Sequence, residues 1–234
     1  MPEPDYDDDG FSLYLGDALE VLAELPPESV DAVITDPPYI IGSMSIGNAG
    51  SKTGAWADLM NSAHWYRTWY ELVDRVLKPS GAFWTFGNWK TLPITIRALL
   101  EGGLPVTSVV VWDKEHITVG GPKGVRAQYE MIVLSAKQDF IIPNRSLGDI
   151  WRQRPVPSAR RHHPAEKPVG IVDQIIEASD LQPGAVVLDP FMGGGTTIVS
   201  ALSHGLRAIG VEQDPHHFEA ALQRLQALDT EVAR

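Results

Sequence analysis

The feature that most limits the folds open to this chain is a run of three glycines, Gly193–Gly195, between two regular segments. Residues 185–189 before it have the apolar, β-branched composition of a strand, and residues 196–204 after it predict a helix. Glycines at such a junction let the backbone turn tightly, and the free N–H groups of the helix start attract an anion. The next predicted strand ends at Glu212, whose carboxylate can accept hydrogen bonds from both hydroxyls of a ribose. The segment therefore predicts a nucleoside-binding βαβ unit.

The rest of the chain alternates strand-like and helix-like segments, which is typical of an α/β fold with a mostly parallel sheet. The predicted strands are residues 11–15, 30–35, 82–86, 107–112, 129–135, 185–189 and 208–212. The predicted helices are residues 18–25, 62–77, 169–178, 196–204 and 215–228. Residues 41–54 are rich in Gly and Ser without a hydrophobic period, which predicts a mobile loop.

The glycine turn is compatible with several kinds of site. A triphosphate-binding loop requires Gly-Lys-Ser/Thr, whereas Gly195 is followed by Thr196. A dinucleotide site expects Gly-x-Gly-x-x-Gly, and Ile198 stands where the third glycine would be. An S-adenosylmethionine (AdoMet) site has to bind only one nucleoside and an amino-acid carboxylate, and it fits best. A purely structural turn remains the alternative.

A second motif, Asp36-Pro37-Pro38-Tyr39, directly follows the predicted strand 30–35. The two prolines end the strand because neither can donate a backbone N–H. A carboxylate, a proline carbonyl and an aromatic ring are then left at the carboxyl end of a strand, where open α/β sheets bind ligands. A strand followed by a rigid turn is the structural alternative.

Together the two motifs resemble those of the amino-group DNA methyltransferases, which modify N6 of adenine or N4 of cytosine. The similarity is to the permuted group in which Asp-Pro-Pro-Tyr comes early and the AdoMet-binding Phe-x-Gly-x-Gly comes late, and it covers about residues 13–228. Three further segments resemble the family: Gly16-Asp17-Ala18, Tyr129–Leu134 and His163–Pro168. The resemblance implies a doubly wound, Rossmann-like, circularly permuted methyltransferase fold with a seven-stranded sheet.

The resemblance also implies a mechanism in which the target base leaves the DNA stack. Its catalytic residues would be Asp36, Pro37, Pro38 and Tyr39. Asp36 and the Pro37 carbonyl would each accept one amino N–H, and Tyr39 would stack on the base. Aspartate at position 36 favours adenine N6, while cytosine N4 stays the alternative. The chain has no cysteine, which excludes methylation of a ring carbon through a thiol adduct.

For the cofactor, AdoMet, the resemblance places Asp189 and Phe191 near the methionine part and Glu212 on the ribose. Lys167 could pair with the AdoMet carboxylate, or alternatively contact a DNA phosphate. Asp17 would approach the adenine, or serve as a helix N-cap. The full predicted set is Asp17, Lys167, Asp189, Phe191, Gly193, Gly195, Thr196, Thr197 and Glu212, and no metal ligands are expected.

The net charge of −11 is unfavourable for DNA binding, because phosphate contacts need a basic surface. Five acids, however, lie in the first nine residues, and we expect residues 1–10 to be a disordered tail before a single domain, residues 11–234. A small basic excursion near residues 140–165 is the predicted target-recognition region. Its predicted DNA contacts are Arg145, Arg152, Arg154, Arg160 and Arg161. Three tryptophans, Trp56, Trp65 and Trp69, are expected in the core or an interface.

The expected partner is double-stranded DNA. The small recognition region leaves a homodimer open, and a cognate restriction endonuclease is a further open partner. The sequence shows neither a bilayer-length apolar segment nor a signal peptide, so no membrane association and a cytoplasmic, nucleoid-associated location in a prokaryote or phage are expected. A catalytically silent DNA-binding regulator is a rival function. An RNA, protein-glutamine or small-molecule N-methyltransferase is disfavoured, because those families usually place the cofactor motif first.

Overall fold

The computed structural model describes residues 2–8, 10–39, 55–117, 124–157, 159, 161 and 165–232, and there nine strands form one mixed sheet with helices on both faces. The strands are β1 Tyr6–Asp7, β2 Phe11–Leu15, β3 Val30–Thr35, β4 Leu77–Gly87, β5 Val106–Asp113, β6 Tyr129–Ala136, β7 Ile150–Arg152, β8 Val186–Asp189 and β9 Arg207–Glu212. The helices are α1 Ala18–Glu24, α2 Ala55–Val76, α3 Leu92–Glu101, α4 Val169–Ser179, α5 Thr196–Ser203 and α6 Pro215–Val232.

The strand order is β1-β2-β9-β8-β3-β4-β6-β5-β7. Strands β2, β9, β8, β3 and β4 run parallel, while β6 is antiparallel to both β4 and β5. The chain moves from β8 to β9 in one direction across the sheet and from β3 to β4 in the other. The order therefore reverses between β8 and β3, which is where open α/β sheets form a ligand crevice at their carboxyl ends.

The α/β fold is confirmed, but the prediction of seven strands is wrong because two short edge strands were missed. One of them, β1, lies in the segment predicted to be a disordered acidic tail. It pairs antiparallel with β2, and the ring of Tyr6 stacks on that of Phe11 with centroids 5.4 Å apart. Asp5 also accepts a hydrogen bond from the Leu15 N–H at 2.8 Å. This part of the tail is therefore a structured edge of the sheet.

The other missed strand, β7, lies inside the basic excursion, where no strand was predicted. It runs parallel to β5, and its central residue, Trp151, is buried with its indole N–H donated to the Gly148 carbonyl. Helix α3 was also missed. Its second residue is Pro93, and a proline there is compatible with a helix start because the first N–H groups have no intrahelical partner.

Two buried clusters cover the two faces of the sheet. Helices α1, α2 and α3 bury one face, where Trp69 is fully buried against Phe83. Helices α4, α5 and α6 bury the other, which contains Trp84 and Trp112. The expectation for Trp69 is confirmed. The side chain of Trp56 and the predicted loop 41–54 lie outside the described residues.

Within the described ranges, the helices are all too short or too polar to cross a bilayer.

Candidate active site

The two motifs meet at the carboxyl ends of neighbouring strands. Asp36 directly follows β3, and Asp189 ends β8; these strands are parallel, with Ala32 paired to Val187. A buried hydrogen bond joins the two ends, since the Thr35 hydroxyl donates to Asp189 Oδ1 at 2.6 Å. The two sequence motifs, far apart in the chain, are therefore in adjacent positions at one edge of the sheet.

A cleft of about 530 Å³ opens at this edge and is lined by both motifs. Predicted site residues in its wall are Asp17, Asp36, Pro37, Pro38, Tyr39, Phe191, Gly193 and Glu212. A smaller cavity of about 80 Å³ shares Asp36 and Phe191 with it and adds Lys167, Asp189, Thr196 and Thr197. Trp65 lies on the cleft wall against Phe191, with ring centroids 5.8 Å apart. Most of the predicted catalytic and cofactor residues thus line two adjoining cavities.

The turn Asp36–Tyr39 is held by hydroxyl groups. The Tyr39 hydroxyl donates to Asp36 Oδ1 at 2.5 Å, and the Tyr66 hydroxyl from α2 donates to the Pro38 carbonyl at 3.0 Å. Burial, together with the nearby carboxylates of Asp36 and Glu130, raises the pKa of Tyr39 well above its ordinary value. Tyr39 therefore stays protonated and acts as a donor to Asp36.

Lys167, predicted to pair with the cofactor carboxylate or a DNA phosphate, contacts Asp36 in the turn Asp36–Tyr39. Its ammonium group pairs with Asp36 Oδ2 and lies 3.6 Å from Glu130 Oε2. Burial would lower the pKa of Lys167, but the carboxylates of Asp36 and Glu130 raise it above its ordinary value. Lys167 is therefore a buried cation with two anionic neighbours.

Glu130, on β6, also pairs with Lys114 at the end of β5. Burial would raise the pKa of Glu130, but Lys167 and Lys114 lower it below its ordinary value. Neither Glu130 nor Lys114 was predicted as a site residue. For Glu130 the signals in the sequence were its place in the segment Tyr129–Leu134, which resembles the family, and its charge in a largely apolar strand.

At the end of β8, Asp189 is buried and accepts a hydrogen bond from the Phe191 N–H at 3.0 Å as well as from the Thr35 hydroxyl. Burial raises its pKa to about 6, against the opposing effect of hydrogen bonds from Thr35 and Thr197. Asp189 is therefore ionised at neutral pH and takes up a proton as the pH falls through about 6.

The glycine turn has the shape that its composition predicted. Gly195 caps α5 with a φ of 74°, a conformation that residues with a Cβ rarely adopt. The Gly194 carbonyl accepts a hydrogen bond from Arg224 Nη1 at 2.7 Å, and the same nitrogen lies 3.1 Å from Glu166 Oε1. Arg224, on α6, fixes the turn from behind, and sequence reasoning did not identify it.

Two acidic residues of the predicted cofactor set, Glu212 and Asp17, line the cleft. Glu212 accepts hydrogen bonds from the N–H groups of Gly193 at 3.0 Å and Asp214 at 2.9 Å, which fixes its carboxylate beside the glycine turn. Asp17 is the N-cap of α1 and accepts from the Leu19 N–H at 2.8 Å. Asp17 therefore caps the helix, as one of its two predictions stated, and also lines the cleft.

The basic excursion lies along the same edge of the sheet, because β5 and β7 point in the same direction as β3. Arg152 and Arg154 are 72% and 80% exposed and lie 3.7 and 3.8 Å from carboxylates of Asp113 and Glu115. A separate cavity of about 430 Å³ is lined by Glu115, His116, Arg154, Pro155, Val156, Pro157 and Arg161. Arg145 is exposed, and Arg160 lies outside the described residues.

Among the residues that the structure describes, no group of three or more His, Asp or Glu side chains could hold a metal ion.

Comparison with known proteins gives a family and two curated relatives. The N6/N4 model of DNA methylases matches residues 30–223. YubD of Escherichia coli (strain K12), a methylase by its name, is 34% identical over 218 residues, which is 91% of this chain and 89% of YubD. The DNA adenine methyltransferase YhdJ of the same organism is 29% identical over 248 residues, covering 90% of this chain and 81% of YhdJ.

Two solved structures have the same fold. The cytosine-N4-specific PvuII DNA methyltransferase superposes with a TM-score of 0.79 at 20% identity, covering 95% of this chain and 88% of that one. A DNA modification methylase of Thermus thermophilus, TTHA0409, complexed with S-adenosyl-L-methionine, superposes with a TM-score of 0.72 at 24% identity and covers 91% of each chain.

Proposed function

Because this chain belongs to the N6/N4 DNA methylase family, we propose that it transfers the methyl group of AdoMet to the exocyclic N6 of adenine in duplex DNA. The observation that carries the proposal is the meeting of Asp36 and Asp189 at the carboxyl ends of adjacent strands, linked through Thr35. Two adjoining cavities then contain the group that would hold the target amino nitrogen and the group that would hold the methyl donor.

The chemistry follows from the weakness of the nucleophile. The lone pair of an exocyclic amino nitrogen is delocalised into the ring, and inside the duplex the base cannot reach the cleft, so the base must flip out at a cost of a few kcal/mol. The Asp36 carboxylate and the Pro37 carbonyl each accept one N–H, which favours a pyramidal nitrogen. The N–C bond then forms as the S–C bond of the sulfonium breaks, which leaves a neutral thioether, and the proton that the nitrogen loses passes to solvent. Positioning and electrostatics provide the catalysis.

Within the proposal, AdoMet lies along the cleft with its nucleoside beside Asp17 and Glu212 and its methionine part beside Asp189. The larger cleft has the volume for a nucleoside, and the smaller cavity continues it towards Thr196 and Thr197. The solved relative that contains AdoMet has this fold, which agrees with the cofactor expected from the sequence. The catalytic motif precedes the cofactor motif in the chain, and we assign the permuted order to the protein on that ground.

Adenine is preferred over cytosine for two reasons. Aspartate occupies position 36, where cytosine-N4 enzymes usually have serine, and the relative YhdJ is an adenine methyltransferase by its name. The second candidate is cytosine N4, favoured by the likeness of the fold to the PvuII enzyme. A catalytically silent regulator is the third, and the paired, ordered Asp36 and Asp189 argue against it.

We assign target recognition to the basic excursion near residues 140–165, as part of a single domain. The support is its position on the edge that carries Asp36 and the exposure of its arginines. A homodimer remains an expectation, based on the small size of this region, and a cognate restriction endonuclease remains an open partner.

The test uses unmethylated plasmid DNA incubated with the protein and AdoMet, followed by single-molecule sequencing to map modified bases. We expect N6-methyladenine in one sequence context. Asp36→Ala should abolish transfer while AdoMet binding, measured by calorimetry, stays within about threefold. Asp139→Ala, at an exposed turn away from the cleft, is the matched control and should be fully active. Transfer that persists in Asp36→Ala would refute the role of this carboxylate.

A further inference from the structure

We propose that Lys167 is a positioning residue for Asp36, and that Glu130 and Lys114 complete a buried row of alternating charges that holds the catalytic carboxylate in place. This inference rests on the proposed function, because it concerns how Asp36 meets the target amino group. It also replaces the expectation that Lys167 binds the cofactor carboxylate.

The contacts form one continuous row. Asp36 Oδ2 pairs with the Lys167 ammonium, which lies 3.6 Å from Glu130 Oε2, and Glu130 Oε1 pairs with Lys114. The four side chains come from the turn after β3, the segment before α4, strand β6 and the end of β5, and they are between 12% and 22% exposed. Negative and positive groups alternate along the row, so each charge has a neighbour of opposite sign in a site with little water.

The ammonium groups of Lys167 and Lys114 each lie over an aromatic ring as well as beside a carboxylate. The Lys167 ammonium lies 5.1 Å from the centre of the Phe86 ring, and the Lys114 ammonium lies 5.1 Å from that of Trp112. Aromatic faces at this distance attract cations and limit the directions in which the ammonium groups can move. The row is therefore anchored to β4 and β5 in the sheet itself, which gives Asp36 a rigid support.

This arrangement assigns different roles to the two oxygens of Asp36. Lys167 occupies Oδ2, while Oδ1 accepts a hydrogen bond from the Tyr39 hydroxyl. The target amino group is also a donor, so it can replace Tyr39 at Oδ1 without disturbing the pairing at Oδ2. Tyr39, released from Asp36, is then free to stack on the flipped base. Lys167 thus directs the amino group to one oxygen.

Removing the Lys167 charge should change the protonation of the site. Without it, and among the residues that the structure describes, the carboxylates of Asp36 and Glu130 would have only Lys114 as a cationic neighbour, while Tyr39, Asp189 and Glu166 add no positive charge. Like charges in a buried site favour a shared proton. A protonated Asp36 is a poorer acceptor for the amino N–H, so turnover should fall and should recover only as the pH rises.

The test compares Lys167→Met, Lys167→Arg and Glu130→Gln with the wild type. For Lys167→Met we expect kcat to fall about 100-fold or more, the AdoMet Kd to stay within about threefold, and the acid limb of the kcat–pH profile to move up by about one unit or more. Lys167→Arg should recover part of kcat and the wild-type limb, because it keeps the charge. Glu130→Gln should lower kcat by about threefold to tenfold, since Asp36 keeps its cation.

Two results would overturn the inference. A Lys167→Met protein with near-normal kcat but an AdoMet Kd raised tenfold or more would return Lys167 to the cofactor carboxylate. An acid limb that stays at its wild-type pH in an active Lys167→Met protein would exclude the positioning role. Should Lys167→Met not fold, as judged by thermal unfolding, Lys167→Arg decides instead: a lowered kcat with the AdoMet Kd within about threefold supports the positioning role, and a near-normal kcat with the Kd raised tenfold or more overturns it. Failure of the proposed function would differ, because the wild type would then transfer no methyl group to DNA.

Discussion

The two charged regions at the carboxyl edge of the sheet differ in burial and in how closely their charges are paired. Around the turn Asp36–Tyr39, the side chains of Asp36, Glu130 and Lys167 are largely buried and form one row of paired charges. At the basic excursion, Arg152 and Arg154 are mostly exposed and lie at the outer limit of ion pairing with their acids. Exposed pairs of that kind contribute about 0–1 kcal/mol, whereas buried charges must be matched to be stable. The buried row is therefore fixed by its own pairing, while the exposed arginines would remain available for the phosphates of DNA in the proposed function.

The largest expected effect is at a buried pair behind the glycine turn. Arg224→Met removes the cation 3.1 Å from Glu166 and the donor to the Gly194 carbonyl. Breaking a buried pair on one side costs about 3–5 kcal/mol, and the partial exposure of Arg224 reduces this to about 2–3 kcal/mol. Urea unfolding should show the loss of stability, and AdoMet affinity should fall with it because the turn loosens.

A matched exposed ion pair tests whether burial causes the loss of stability expected for Arg224→Met. Arg97, on α3, lies 2.8 Å from Glu101, but its side chain is 79% exposed. Arg97→Met should leave the unfolding midpoint within experimental error and AdoMet binding unchanged. Equal losses in the two variants would contradict the contrast between the buried and the exposed charges.

The ends of β3 and β8 could be predicted from the sequence because the residues that mark each end are neighbours in the chain. A β-branched strand followed by Pro37-Pro38, or by a glycine turn, marks its own end and places a carboxylate there. Partners that meet only in the folded chain had no such signal. Lys167 was assigned by motif to the cofactor, and its contact with Glu130 depends on β6 lying beside β4. The short strands β1 and β7 were missed because two or three residues carry no period.

The next largest effect concerns the exposed region. Replacing Arg152, Arg154 and Arg161 together with alanine should weaken DNA binding more than tenfold at low salt. The reason is that a protein with fewer phosphate contacts releases fewer counterions from the DNA when it binds. The slope of log K against log salt should fall by about 1 for each contact removed. Fluorescence anisotropy with a labelled duplex, between about 50 and 200 mM salt, measures both quantities.

The control for the arginine variant replaces exposed arginines on the helices. Arg67 and Arg97 each pair with a glutamate one helical turn away, so Arg67→Ala/Arg97→Ala should leave the salt slope unchanged. An unchanged slope in the triple variant would show that DNA lies elsewhere. Thermal unfolding of the triple variant should match the wild type, because its side chains lie on the surface.

The smallest expected effect is a pH dependence of AdoMet binding that comes from the buried carboxylate of Asp189. Burial raises the pKa of Asp189 to about 6, so the free protein takes up a proton there as the pH falls through 6. A carboxylate that faces the α-ammonium group of AdoMet must be ionised, and binding below pH 6 has to expel that proton. The affinity should therefore be constant above about pH 7 and about tenfold lower at pH 5. Calorimetry in buffers of different ionisation enthalpy should detect one proton released per AdoMet bound at pH 5. Affinity that does not change between pH 5 and 7 would remove Asp189 from contact with the ammonium group.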